Sequence, residues 1–149
     1  LAILSPYSRQ VGAIAHRVQS KGTKLKNLQA FRSASKQPHF CNTVDSFQGS
    51  EADCVVISLV RNNPRGSIHN ALGFLADPRR MNVLMSRAKW RLIVVGSLDF
   101  LRNVDRLPKS VEDQRDVAFL GKLLGAIEAG QADGSVRVVP VRTLLGRNA

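Results

Sequence analysis

The segment "DPRRMNVLMSRAKWRLIVVG", Asp77 to Gly96, sets Arg79, Arg80, Arg87, Lys89 and Arg91 against a run that turns apolar. A guanidinium stays charged at physiological pH and presents a planar fork of donors matched to phosphate or carboxylate oxygens. With Pro78 in the first turn of a helix, Met81, Leu84, Met85 and Ala88 fall at i, i+3, i+4 and i+7 and make one apolar stripe. Arg80 and Arg87 then lie roughly 20° apart in azimuth on one flank of that stripe. The apolar "LIVVG" that follows would anchor the helix and let it hold an arginine toward an anion. From these residues alone, a helix with ordinary solvated arginines also stays open.

A second group stands upstream in "TVDSFQGSEADCVVISLVRNN", Thr43 to Asn63. Gln48, Gly49 and Glu51 occupy a loop directly before an apolar strand. Gly49 permits a backbone conformation that brings N–H groups close to a ligand. Glu51 can accept hydrogen bonds from a sugar hydroxyl, and Thr43, Asp45 and Ser46 are short polar groups suited to a phosphodiester backbone. Taken alone, "FQGSE" reads equally as a surface turn.

The elements that position these residues follow from hydrophobic patterning. "LAIL" (1–4), "CVVISLV" (54–60) and "LIVVG" (92–96) are near-continuous apolar runs, the pattern of parallel strands buried on both faces. "HFCNTV" (39–44) is a weaker fourth strand. Val11, Ile14, Ala15 and Val18 form a helical stripe after "SPYSRQ". The alternation of strands and helices predicts an α/β fold with a mainly parallel sheet flanked by helices. Residues 21–37 read as an exposed connector with a short helix, and 61–76 as a loop. Ser97 is a natural N-cap for a helix at "SLDFL". A longer helix is expected from Ser110 to Gly130, with Glu112 and Asp113 in its first turn, and "SVRVVPVRTLLG" as a last strand and a turn of helix.

Composition narrows the partners. The chain has 149 residues, 22 Lys and Arg against 11 Asp and Glu, and a net charge of +11, a balance that attracts polyanions, nucleic acid first. Residues 1–44 carry Arg9, Arg17, Lys21, Lys24, Lys26, Arg32 and Lys36 with no acid, either a solvated basic surface or a phosphate-tracking one. Cys41 and Cys54 lack zinc-ligand or disulfide-framework spacing, and His16, His39 and His69 are scattered, so no metal site is expected. No apolar run approaches a membrane span. A soluble intracellular protein without membrane contact is expected.

Together the segments resemble the second, C-terminal RecA-like domain of superfamily 1 helicases, in the superfamily 1B branch of the nonsense-mediated-decay helicase, senataxin and their relatives, an AAA-type ATPase fold. "LAILSPYSRQ" resembles motif IV, "TVDSFQGSEADCVVISLVR" motif V, and "GFLADPRRMNVLMSRAKWRLIVVG" motif VI with its lead-in. The resemblance implies a RecA-like P-loop NTPase domain over 1–100, with 101–149 as a C-terminal extension of the same domain. It implies Arg87, in "SRA" where the family usually has Thr-Arg-Ala, as the arginine finger on the ATP γ-phosphate. Gln48, Gly49, Glu51 and Arg80 would lie on the nucleotide side; Pro6, Tyr7, Gln10, Thr43, Asp45 and Ser46 on the nucleic-acid side. Asn82 belongs to the same run before the finger.

Within these residues there is no GxxxxGK[ST] loop and no strand-borne pair of acids for magnesium. The domain lacks its own Walker A. The implied intact enzyme uses ATP and Mg2+, with the phosphate loop and the Mg2+ ligands on a preceding RecA-like domain, and acts on single-stranded DNA or RNA. Isolated residues 1–149 would be inactive. The alternative is a non-catalytic basic RecA-like module that binds nucleic acid or a partner protein.

Overall fold

The computed structural model describes residues 1–21, 26–34, 39–59, 71–106 and 111–146. Strands β1 (Ala2–Ser5), β2 (Cys41–Thr43), β3 (Ala52–Ser58) and β4 (Ala88–Val95) form one sheet in the order β2-β1-β3-β4, every neighbouring pair parallel. This is the expected RecA-like α/β architecture. In the two central strands Ala2 and Leu4 of β1 and Val55 and Ile57 of β3 are fully buried, while Ile3 and Val56 between them are half-buried, so one face of each strand is sealed more tightly than the other. The weak "HFCNTV" signal yields only three ladder residues.

Helix α1 (Ser8–Ser20) packs on β1 and β2. Its stripe of Val11, Ile14, Ala15 and Val18 is half-buried, and no residue of α1 is fully buried. Helix α2 (Pro78–Met85) begins where the Asp-Pro pair directs. Asp77 is the N-cap, its Oδ1 accepting from the backbone N–H of Arg79 at 2.9 Å and of Arg80 at 3.3 Å, and Pro78 fills the first turn, where no N–H is needed. Met81 and Leu84 are buried in the core.

The predicted helix runs too far. Helix α2 stops at Met85 with Ser86 as its C-cap, whose N–H returns to the Asn82 carbonyl at 3.0 Å. Ala88 opens β4 instead of closing the apolar stripe, and Arg87 lies in the turn between. The shared helical flank for Arg80 and Arg87 therefore does not exist.

Strand β4 also departs from its sequence reading. It is an edge strand, and Trp90 is 86% exposed while Leu92, Ile93, Val94 and Val95 are 38% to 47% exposed. An apolar run records what a strand tolerates around it, whereas coverage depends on neighbours distant in sequence. The last expected strand is absent from the ladder as well. Val136 N–H returns to the Gly130 carbonyl at 2.8 Å, which turns the chain back on the helix end, and Pro140 can donate no ladder bond.

Helix α3 (Leu98–Arg106) starts as expected, with Ser97 Oγ accepting from Phe100 N–H at 3.2 Å. Helix α4 (Val111–Asp133) lays Val117, Leu120 and Leu124 into the same core as the sheet residues, and α5 (Val141–Leu144) closes the described chain. The expected helix start at Ser110, most of the loop expected over 61–76, and the side chains of Lys24 and Lys26 fall outside the described residues. Within the expected connector, Lys26–Ala30 forms a short 3-10 turn.

Candidate nucleotide and nucleic-acid site

The candidate residues fall into two groups, one at the carboxyl ends of β1 and β2 and one at the amino end of β3, joined through the Asp45–Phe47 turn. At the carboxyl end of β1, Pro6, Tyr7 and Gln10 follow the strand directly. Gln10 Nε2 donates to Ser58 Oγ at 3.4 Å, and Ser5 Oγ donates to the Ser58 carbonyl at 3.2 Å. Thr43 is level with Ser5 in the ladder, so the end of β2 joins the same rim. There Ser46 N–H and Thr43 Oγ1 meet at 3.2 Å, the two hydroxyls at 2.9 Å, and Ser46 Oγ donates to the Thr43 carbonyl at 3.0 Å. These bonds fix the 3-10 turn Asp45–Phe47, with Phe47 buried as its anchor and Asp45 and Ser46 exposed.

The chain then runs back along the sheet to the amino end of β3. The two groups are continuous through this segment: Gln48 N–H donates to the Asp45 carbonyl at 3.3 Å and Ser50 N–H to the Phe47 carbonyl at 3.1 Å. Gln48 and Gly49 are exposed in this return. Gly49 has φ 77°, a left-handed conformation in which a side chain is strained, and a Cβ there would meet nothing within 4 Å. The glycine is needed for its backbone, and the space beside it is open.

Arg87 reaches this second group from the α2–β4 turn. Its Nε donates to the Val83 carbonyl at 2.8 Å, one Nη to the Ser50 carbonyl at 3.2 Å, and the other to Ser86 Oγ at 2.9 Å. Ala52 N–H donates to the Arg87 carbonyl at 3.0 Å, binding the turn to the start of β3. All three side-chain acceptors are neutral, so the guanidinium keeps its full charge; among the described residues no carboxylate lies within ion-pair distance of it. Ser86 supplies the hydroxyl that the family's threonine would supply.

Glu51 does not stand free. Lys89 Nζ lies 2.6 Å from Glu51 Oε1, both side chains well exposed. The hydrogen bond and charge of Glu51, with a smaller contribution from Asp53, raise the lysine above its ordinary range. This partner, 38 positions downstream, has no local signal in the sequence.

Arg80 lies elsewhere. Its Nε is 3.4 Å from Asp77 Oδ2, its guanidinium carbon sits 5.2 Å from the centroid of the Phe74 ring, and Phe74 N–H donates to the Tyr7 hydroxyl at 3.4 Å. Arg80 thus belongs to the Tyr7 rim, in the first turn of α2, whereas Arg87 lies beyond the helix's carboxyl end. Phe74 was missed in the sequence because only the fold brings it beneath Arg80 and beside Tyr7. Cys41 and Cys54 are both free, and burial raises the Cys41 thiol above its usual range. Among the described residues, no three His, Cys, Asp or Glu side chains converge on a metal-sized site, and no helix is long and apolar enough to cross a membrane.

The parallel sheet, the motif order and the two rims define a RecA-like domain of the AAA class. A family model described as an AAA domain matches residues 1–99, and the chain belongs to that family. Its relatives are superfamily 1 helicases of the type that the motifs imply. It is 36% identical over 97 residues to the Regulator of nonsense transcripts 1 homolog of Neurospora crassa, covering 65% of this chain and 8% of that protein. It is 30% identical over 140 residues to the Probable helicase senataxin of Homo sapiens, covering 94% of this chain and 5% of that protein. It is 39% identical over 98 residues to the ATP-dependent helicase upf1 of Schizosaccharomyces pombe, covering 65% of this chain and 9% of that protein. The chain therefore spans less than a tenth of each of these relatives. The senataxin match extends past Phe100, where no motif was legible.

Proposed function

We propose that residues 1–149 are the second motor domain of an ATP-dependent helicase, supplying an arginine finger to ATP held mainly by a preceding RecA-like domain and part of the track for single-stranded nucleic acid. The observation that carries this reading is the setting of Arg87: a fully charged guanidinium suspended from three neutral oxygens, in a turn bonded to the Gly49–Glu51 loop. Charge aimed by fixed hydrogen bonds at an oxygen that becomes more negative during phosphoryl transfer stabilises the transition state. Gly49 would bring backbone N–H groups to the same phosphates, with Gln48 beside it and Glu51 toward the sugar.

The other group, Pro6, Tyr7, Gln10, Thr43, Asp45 and Ser46, would follow the nucleic acid. Closure of the two domains on ATP and reopening after hydrolysis would then move one grip relative to the other. ATP and Mg2+ belong to the intact enzyme, with the Mg2+ ligands on the preceding domain. Residues 101–149 are read as part of the same domain, supported by Val117, Leu120 and Leu124 in the shared core.

The test is Arg87→Lys in the enzyme that joins this chain to its phosphate-loop domain. Lysine keeps the charge and loses the fork, so single-turnover ATP hydrolysis should fall by about 10³-fold while nucleotide-free binding of single strands is retained. Arg80→Lys, on the other rim, should lower hydrolysis far less. Near-normal hydrolysis in Arg87→Lys, with melting temperature unchanged, removes the finger.

A further inference from the structure

Arg80 is built as a surface more than as a charge. Asp77 accepts the two backbone N–H groups at the start of α2 through Oδ1 and holds Arg80 Nε through Oδ2. The carboxylate offsets most of the guanidinium's net charge at that spot. Phe74 lies under the guanidinium at 5.2 Å, a cation–π distance, and Phe74 is itself fixed, packed partly on the core and tied through its N–H to Tyr7. The arginine is clamped from one side and one edge, yet its side chain is 53% exposed, and its Nη groups have no partner among the described residues. A planar group seated over an aromatic ring with half of its surface exposed can offer a stacking surface.

This inference rests on the reading that the Tyr7 rim follows nucleic acid. We propose that Arg80, seated on Phe74, is a platform on which one unstacked base of a single-stranded polynucleotide stacks. Bases of any sequence present a π-face, so such a platform adds affinity without adding sequence preference. It takes Arg80 out of the ATP pocket, consistent with its place in the first turn of α2, and gives the "GFLADPRR" lead-in a task that neither motif V nor motif VI covers. The shared ligand chemistry is a nucleobase on a sugar-phosphate chain, whether deoxyribose or ribose.

The experiment titrates the 149-residue chain with fluorescent oligodeoxyadenylate, oligoriboadenylate and an abasic deoxyribose-phosphate strand of equal length. Wild type should bind the two base-bearing strands at least about fivefold more tightly than the abasic one, the lower bound for one stacked base. Arg80→Lys keeps the charge and loses the plane: it should erase that preference while the slope of log affinity against log salt stays constant. Phe74→Leu, which keeps apolar packing, should do the same, and Phe74→Tyr should restore the preference. An unchanged preference in Arg80→Lys, or equal wild-type affinity for base-bearing and abasic strands, overturns the platform while leaving the nucleic-acid reading in place. Wild-type binding to none of the strands overturns that reading and the platform with it. Melting curves on each variant separate these outcomes from unfolding.

Discussion

A guanidinium has five N–H donors, and Arg87 commits three of them to Val83, Ser50 and Ser86. Two remain for an anion, so the side chain can meet a phosphate without first breaking its anchors. The Val83 bond also places positive charge on a free carbonyl at the end of α2, where the helix dipole favours it. Ser86 is the adjustable part of this suspension, because its hydroxyl accepts from Arg87 and donates to Val83 at 3.2 Å. In the intact enzyme Ser86→Ala should lower single-turnover hydrolysis by about fivefold, the worth of one hydrogen bond, with affinity for single strands unchanged; Ser86→Thr should match wild type. A full-rate Ser86→Ala variant would show that the two carbonyls alone hold the finger. At this scale the sequence disclosed residue types and motif membership, including Arg87, Gly49 and Glu51. It did not disclose pairs such as Lys89 with Glu51 or Arg80 with Phe74, because contact between them is a property of the assembled sheet and helix.

Element boundaries show where patterning is sufficient and where it fails. Asp77 and Pro78 mark the start of α2 unambiguously, since one supplies the cap and the other the preset φ. The end is less legible: Ala88 continues the 3.6-residue period by coincidence, and alanine fits the first position of a strand as easily as a helix. Central β1 and β3 were readable because both edges are paired within this chain and one face of each is fully buried. The same apolar signature in β4 leads to the wrong burial, because what covers a strand's edge and faces is not encoded in the strand itself. An apolar edge of this kind is a template for pairing with another strand, and Lys89 and Arg91 are its only blunting charges. We expect the isolated chain to self-associate with rising concentration in sedimentation velocity runs at moderate salt, where its +11 net charge is screened. Ile93→Lys, at a position 42% exposed, should return it to monomer; concentration-independent monomer in wild type would show that the two cations suffice.

For the molecule as a whole, the proposed function divides the labour between two adjoining groups: Arg87 and Gly49 at the amino end of β3 for phosphoryl transfer, and Tyr7, Thr43 and Arg80 beyond the carboxyl ends of β1 and β2 for the polynucleotide. Hydrogen-bonded turns from Thr43 to Ser50 link the two groups directly, a path through which closure at one would reposition the other. The central claim is that the chemistry at the Arg87 end is half a site, completed by a phosphate loop that residues 1–149 do not carry. The most direct measurement is steady-state phosphate release by the purified 149-residue chain with ATP, Mg2+ and saturating single-stranded nucleic acid, run beside its Arg87→Lys variant. Both should release phosphate only at the no-protein background while binding single strands. Sustained turnover by the wild-type chain that disappears in Arg87→Lys would contradict the half-site claim, since these residues would then hold and hydrolyse ATP unaided.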